Sequence, residues 1–273
     1  MEPADYSPLE DRPLRHTVCL FDISGTLSPQ QGTVPSEILT LLHTLRSKCA
    51  IGFVSRSGLE KQKYRLNATS LEAVTSLFDY SFAENGLKAY QFGVLLPPLD
   101  PYNGSFIKYL GEDRYEELVA VTQNYLAKVD VPFEPRGPAV KFRKGMLNIA
   151  AVGVEAKGQE RDVFEAWGKK FDTRERFREA MRERFEGWGL DFIIGGQVGL
   201  DVFPRGWDKT YCPRHLENEA KTAKATAIGR SRSDIIGGGG SNSSGGSPRC
   251  GAYSDKTEQG GNDYHIFNDE TTA

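Results

Sequence analysis

The run Thr17-Val18-Cys19-Leu20-Phe21-Asp22-Ile23-Ser24-Gly25-Thr26-Leu27 decides how the rest of the chain is read. Its apolar core, Val18 to Phe21, is short and uncapped, which fits a buried strand better than a helix. Asp22 stops the run, and Gly25 follows to turn the chain. In open α/β sheets ligands gather outside the carboxyl ends of the strands, so Asp22 stands where chemistry is done. A carboxylate in that position can attack phosphorus. Taken alone, Asp-x-x-Gly-Thr also suits a residue that merely caps a turn, so the surrounding sequence has to decide.

On the N-terminal side, residues 1–16 are polar and Pro-bearing and read as a loose leader. On the other side, Thr33 and Pro35 give helix-start cues, and Ile38, Leu41, Leu42 and Leu45 recur at helical spacing. Ala50 to Val54 reads as a second buried strand that ends at Ser55-Arg56-Ser57. Strand, helix and strand at this spacing form a βαβ unit with a right-handed crossover, hence a parallel sheet. Leu59 to Leu66 continues as helix, and Tyr80 to Ala83 is a third strand before Glu84-Asn85-Gly86.

From about Lys88 the pattern becomes a meander. Leu87–Tyr90 and Val94–Leu96 read as short strands around Gly93, and Ala139–Arg143 and Met146–Ala151 form a hairpin around Lys144-Gly145. Ile193–Gly196 and Val198–Phe203 are further strands; helices are expected along Leu118–Val129, Glu160–Gly168 and Thr173–Phe185. This is an α+β pattern, distinct from the α/β start, and reads as a domain inserted into the first. Trp207–Glu219 is helical again. Residues 221–251, with Gly237 to Gly240 and Ser243-Ser244-Gly245-Gly246-Ser247, have linker composition and read as disordered where a buried strand is needed. The expected division is therefore a leader over 1–16, core over 17–87, an inserted α+β domain over 88–206, and core again over 207–273.

Composition narrows the function. With 38% hydrophobic and 26% charged residues, the chain of 273 residues has material for two domains with adequate cores. A net charge of −3 gives no reason to expect nucleic acid as a partner. No apolar run approaches membrane-spanning length, and the first residues lack the features of a signal peptide. Cys19, Cys49, Cys212 and Cys250 show no paired spacing, which fits free thiols in a reducing, cytoplasmic setting.

Four strings carry a resemblance. They are Asp79-Tyr80-Ser81-Phe82-Ala83-Glu84-Asn85-Gly86-Leu87, then Phe142-Arg143-Lys144-Gly145-Met146-Leu147-Asn148. The third joins Gly195-Gly196-Gln197, Asp201-Val202-Phe203-Pro204 and Gly206-Trp207-Asp208-Lys209, and the last is Gly260-Gly261-Asn262-Asp263. With these the chain resembles the eukaryotic phosphomannomutases of the haloacid dehalogenase superfamily over most of residues 17–219 and again over 253–271. The resemblance implies a Rossmann-like α/β core with an inserted α+β cap and magnesium. It also implies interconversion of mannose 6-phosphate and mannose 1-phosphate for GDP-mannose synthesis. The partners it implies are a hexose phosphate, a sugar bisphosphate activator and a second copy joined through the cap, for which Leu87 to Pro98 offers apolar strands.

The same resemblance assigns roles. Asp22 is the nucleophile, Ser57 donates to the transferring phosphoryl group, and Lys209 neutralises both. Asp22, a backbone carbonyl at Ser24, Asp255 and Asp263 supply hard oxygens for magnesium. Arg136, Arg143 and Asn148 hold the distal phosphate, for which arginine's planar fork is well shaped, and Asp201 reaches the sugar hydroxyls.

Departures from the family pattern cluster at these same places. The family has Asp-x-Asp-Gly-Thr, with the second Asp as general acid/base; here that position is Ser24. Losing a positioned acid/base typically costs ~10²–10⁴ in rate. Family arginines fall at Gln31 and Val154, and a family serine falls at Gly199. The expectation is therefore a phosphomannomutase. The alternative is a weak or inactive relative that binds sugar phosphate or a protein partner. A phosphatase is disfavoured by Arg143, Asn148, Gly196-Gln197 and Asp201.

Overall fold

The structure, a computed structural model, describes residues 7–29, 32–221 and 249–253, the last stretch as backbone. It divides into two units. The first gathers the chain up to Leu99 together with the segment that starts at Lys209; the second spans Asp100 to Asp208.

The first unit is built on a six-stranded sheet of order β10-β1-β2-β3-β4-β5. Its members are β1 (Leu14–Asp22), β2 (Cys49–Val54), β3 (Tyr80–Ala83), β4 (Lys88–Gln91), β5 (Val94–Leu95) and β10 (Arg249–Tyr253). The strands β10, β1, β2 and β3 are parallel, whereas β4 and β5 return antiparallel. Every residue of β2 and β3 is buried, which is why neither shows the alternation of a half-exposed strand. Helices α1 (Ser36–Arg46), α2 (Leu59–Arg65) and α3 (Leu71–Ser76) supply the connections. Ile51, Phe53, Val74 and Phe78 pack into one core cluster, with Ile38, Leu39, Leu42 and Leu45 of α1 against it. Fully burying a side chain of this size stabilises by about 1.5–3 kcal/mol. Leu41, read as part of that stripe, instead faces out at 62% exposure.

Three sequence expectations are corrected here. The leader is not loose over its described part. A 3-10 turn covers Leu9–Asp11, and β1 already begins at Leu14. Arg12 is buried against Asp79, with Nη1 and Nη2 donating to the carboxylate at 2.7 and 3.0 Å. Arg46 adds a third bond to Asp79 at 3.0 Å and the Ile51 N–H a fourth at 2.9 Å. Residues 88–99 belong to the first unit, because β4 and β5 extend its sheet; the strands expected to serve a cap interface are therefore not in the second unit. Finally, the end of the Gly/Ser-rich segment is a strand. Arg249, Cys250 and Gly251 start β10, which pairs in parallel with β1 from Thr17 to Phe21. Backbone hydrogen bonding makes no demand on side-chain composition, so poor apolar content did not prevent it. Residues 222–248 lie outside the described chain.

The second unit has a four-stranded antiparallel sheet of order β6-β7-β9-β8, formed by β6 (Val140–Arg143), β7 (Met146–Ile149), β8 (Leu190–Gly195) and β9 (Gly199–Pro204). Its helices are α4 (Phe106–Leu110), α5 (Glu112–Leu126), α6 (Gln159–Phe171) and α7 (Thr173–Arg184). Alternation sorts the sheet into two faces. Leu147, Ile149, Leu190, Phe192, Leu200 and Val202 form a core with Leu118 of α5 and Phe177 and Met181 of α7. The opposite face carries Lys141 and Arg143, Asn148, and Asp201, which the strand register places side by side.

Candidate active site

Asp22 is the last residue of β1 and lies opposite Val54, the last residue of β2. Its carboxylate is 9% exposed. Oδ1 accepts the N–H of Ile23 at 2.8 Å, and Oδ2 faces Nζ of Lys209 at 3.1 Å. Lys209, itself only 3% exposed, sits two residues before a helix over 211–221 (α8), whose second residue, Cys212, donates its N–H back to the Lys209 carbonyl. A buried ammonium beside a buried carboxylate offsets the cost of desolvating either charge. It also lowers the repulsion that an incoming phosphate would meet.

The loop that leaves Asp22 is fastened by its own backbone. Gly25 adopts φ of 94°, a conformation open to glycine at little cost. Its N–H donates to the Ser28 carbonyl at 2.7 Å, and the Ser28 N–H and hydroxyl both donate to Ile23 at 2.8 and 3.1 Å. Arg65 of α2 braces the loop by donating to the Pro29 carbonyl at 2.7 Å. Burial lowers the Arg65 pKa, and the charge of Asp22 acts against that shift. Ser24, half-buried, forms an isolated bridge with Ser28. Its hydroxyl cannot exchange a proton near neutral pH as a carboxylate does.

Ser57 lies three residues beyond β2, in the turn after the neighbouring strand, and is buried. The turn is shaped by Ser55, whose hydroxyl accepts from the Ser57 N–H at 3.1 Å and from Gln62 at 2.6 Å. Asp22, Ser24, Ser57 and Lys209 thus all belong to the carboxyl-end loops of one sheet or to the start of α8. Asp255 and Asp263, and the departure at Gln31, lie outside the described residues. Tyr253, two residues before Asp255, is paired with Phe21, next to Asp22.

In the second unit Asn148 Nδ2 donates to Asp201 Oδ1 at 2.7 Å, across the β7–β9 pair, with Asp201 1% exposed. Arg143 stands on the same face, in β6. Arg136 is not on the sheet. It lies on an exposed loop, ion-paired with Glu160 at 2.8 Å. The non-family residues have structural explanations. Val154 packs against a small apolar cluster with Ala150, Val152 and Phe164. At Gly199 a Cβ would lie 3.0 Å from Asn148 Nδ2 and from the Gly195 carbonyl, so the bare backbone leaves room for the Asn148–Asp201 pair. Gln197 bonds to Asp162 and Glu165 at 2.8 and 3.1 Å.

Sequence reasoning assigned no role to Arg65, His215 or the Glu84-Asn85-Gly86 turn. Only the last left a signal, an Asn-Gly pair following a strand.

A buried carboxylate beside a buried lysine, at the end of a parallel strand of a Rossmann-like sheet, places the chain in the class of proteins with the haloacid dehalogenase fold. A family model described as eukaryotic phosphomannomutase matches residues 38–230. A phosphomannomutase of Schizosaccharomyces pombe is 41% identical over 265 residues, covering 97% of this chain and 90% of that protein. One from Saccharomyces cerevisiae is 41% identical over 256 residues, covering 94% and 87%. Among solved structures, an IMP-bound, N-terminally truncated IMP-nucleotidase of Plasmodium falciparum shares the fold at a TM-score of 0.53 and 15% identity, covering 92% of this chain and 62% of that one. The chain belongs to the eukaryotic phosphomannomutase family.

Proposed function

We propose that the chain is a phosphomannomutase that interconverts mannose 6-phosphate and mannose 1-phosphate and feeds GDP-mannose synthesis. The observation that carries this reading is the buried Asp22–Lys209 pair at the end of β1, in a chain so similar along its length to proteins of that name. In this reading Asp22 attacks one phosphorus of a sugar bisphosphate, the ester O–P bond breaks, and the sugar monophosphate leaves as an alcohol that takes its proton from water. The hydroxyl of the entering monophosphate then attacks the aspartyl phosphate, takes its phosphoryl group, frees the Asp22 carboxylate and gives its proton to water. Lys209 neutralises the gathering negative charge, and the Ser57 hydroxyl donates to the phosphoryl oxygens. Arg143 and Asn148, with Arg136 once it leaves Glu160, hold the distal phosphate, and Asp201 accepts from the sugar hydroxyls. Ser24 leaves the entering hydroxyl without a positioned base, so turnover is slow.

The donor set suits a hard divalent cation. Asp22 offers a carboxylate oxygen and Ser24 a backbone carbonyl, and β10 brings the chain alongside Phe21 two residues before Asp255. Magnesium held by Asp22, Ser24, Asp255 and Asp263 would spread phosphoryl charge. Among the described residues, no cluster of three or more His, Cys, Asp or Glu forms a metal site by itself, so Asp255 and Asp263 are required for this reading. The working form is proposed as a cytoplasmic homodimer joined through the second unit. Free thiols at Cys19, Cys49 and Cys212 fit the reducing compartment. Among the described residues, no helix is long and apolar enough to cross a membrane.

A coupled assay with mannose 1-phosphate, a hexose bisphosphate and magnesium tests the reading. Mannose 6-phosphate formation is expected. Release of inorganic phosphate instead would make the chain a phosphatase, and binding of mannose 1-phosphate without turnover would make it an inactive relative.

A further inference from the structure

Three consecutive residues after β3 have left-handed backbone, Glu84 at φ 52°, Asn85 at 61° and Gly86 at 90°. Residues with a Cβ rarely adopt this region, and a run of them persists only where the surroundings over-determine it. Two sets of contacts do so. On one side, the Asn85 N–H donates to the Ser55 carbonyl at 2.9 Å and the Glu84 N–H to the Ser57 carbonyl at 3.3 Å. These bonds fasten the loop to the turn that presents Ser57. On the other side, Nε2 of His215 lies 3.0 Å from the Gly86 carbonyl. An acceptor carbonyl requires the proton on Nε2.

His215 belongs to α8, the helix entered from Lys209. It is 5% exposed, stacked on Phe82 at 5.8 Å and edge-on to Tyr211 at 5.6 Å. Burial lowers the imidazole pKa, and the Gly86 carbonyl opposes the shift. The packing beside this bond is close. A Cβ at Gly86 would come within 2.9 Å of Cys212 Sγ, on the first turn of α8. The loop therefore meets two elements of the site at once: the Ser57 turn through its N–H groups and α8 through its carbonyl.

We propose that His215 is a positioning residue for phosphoryl transfer, which locks α8 onto the Glu84–Gly86 loop and so holds Lys209 against Asp22 in register with Ser57. The proposal rests on the assignment of Asp22 and Lys209 as the reacting pair. A small displacement of an orienting group far from the chemistry costs up to about 10²-fold in rate. A tenfold loss is expected here, since Lys209 keeps its charge.

The test compares wild type with His215→Phe, which keeps the ring but removes the donor, and His215→Gln, whose amide nitrogen can replace Nε2. Leu42→Ala, in α1, controls for general destabilisation. Two readouts are taken: kcat and KM for mannose 1-phosphate, and the rate at which an amine-reactive reagent labels Lys209, followed by mass spectrometry. The expected result for His215→Phe is a kcat lowered about tenfold with KM within twofold, and Lys209 labelling raised at least tenfold. His215→Gln should recover most of both, and Leu42→Ala should alter neither. If His215→Phe does not fold, His215→Asn, too short to reach the carbonyl, takes its place.

Labelling and kcat unchanged in the folded variant overturn the proposal. So does a change equal in His215→Gln and His215→Phe, or matched by Leu42→Ala. A wild type without turnover overturns the phosphomannomutase assignment instead; the labelling contrast then still decides whether His215 positions Lys209.

Discussion

Asp22 and Asp201 are both buried strand carboxylates, 9% and 1% exposed, but the two units present them in different ways. Asp22 stands at the end of a parallel strand, and its companions arrive on separate loops and a helix start. Asp201 stands mid-strand on an antiparallel sheet, and its companion Asn148 is opposite it by register. A sheet face takes its geometry from the ladder, and a one-residue slip of β9 would send Asp201 into the apolar core. A strand-end site has no such ruler. Its loops are held by specific anchors: Arg65 on the Asp22 loop, Ser55 on the Ser57 turn, and the left-handed Glu84–Gly86 run. Mutations should therefore strike turnover in the first unit and substrate holding in the second.

The sharpest test of that contrast is Asp22→Asn, which keeps the shape but removes the nucleophile and the charge opposite Lys209. Loss of mutase turnover by ~10⁴-fold or more is expected, read in the coupled assay. Retained activity in a clean preparation would take Asp22 out of the mechanism. Next in size is Arg12→Ala, which touches neither site. It leaves Asp79 buried with only Arg46 as its ionic partner among the bonds described above, so a loss of about 3 kcal/mol in urea unfolding is expected. The KM of the folded enzyme should stay at the wild-type value, and a raised KM would show that the leader reaches the site.

Ser24→Asp is the constructive counterpart. It restores an acid/base beside Asp22, and kcat should rise ~10²-fold if want of a base limits the wild type. A folded, inactive or unimproved variant would place the limiting defect elsewhere. Asp201→Asn should act on the other side of the contrast, raising KM about tenfold with kcat changed less than threefold. A fall in kcat alone would mean that the second unit takes part in the chemical step.

The smallest effect is a pH dependence. His215 has its folded pKa below the ordinary value of 6.5, because burial disfavours the imidazolium. The unfolded chain then binds more protons, so stability is full above about pH 6.5 and declines as pH falls toward the folded pKa. Melting temperatures between pH 7.5 and 5 should drop less steeply in His215→Phe than in wild type. Equal slopes would exclude His215 as a contributor.

The sequence disclosed these two regions unequally. Ala50–Val54, buried on both faces, and Val18–Phe21, half-buried at Cys19 and Phe21, read directly from their apolar runs, and so did the amphipathic α1 apart from Leu41. Asp22 stood out by its place at the end of an apolar run, whereas Lys209 stood out only through a family string, since nothing local brings residue 209 to residue 22. The leader was misread because a polar, Pro-bearing stretch looks solvated, and the aspartate that buries Arg12 is 67 residues away. β10 was hidden by its composition, because a parallel edge pairing draws on backbone groups alone. Residues 88–99 were assigned to the wrong unit because a hairpin looks alike whether it ends one sheet or begins another.

The place of β10 also bears on how the protein is made. β1 emerges first, yet the strand that covers its far edge begins at Arg249, more than two hundred residues later. At synthesis rates of about 5–20 residues per second, the nascent chain carries that open edge for roughly 10–45 s. During this time β1 can pair with another chain's strand. The reacting end of the sheet is likewise unfinished until β10 has been made, so a ribosome that stalls in the Gly/Ser-rich stretch yields a sheet missing one border. Successful production of this protein should depend on chaperone supply and on the speed of decoding more than its equilibrium stability would suggest.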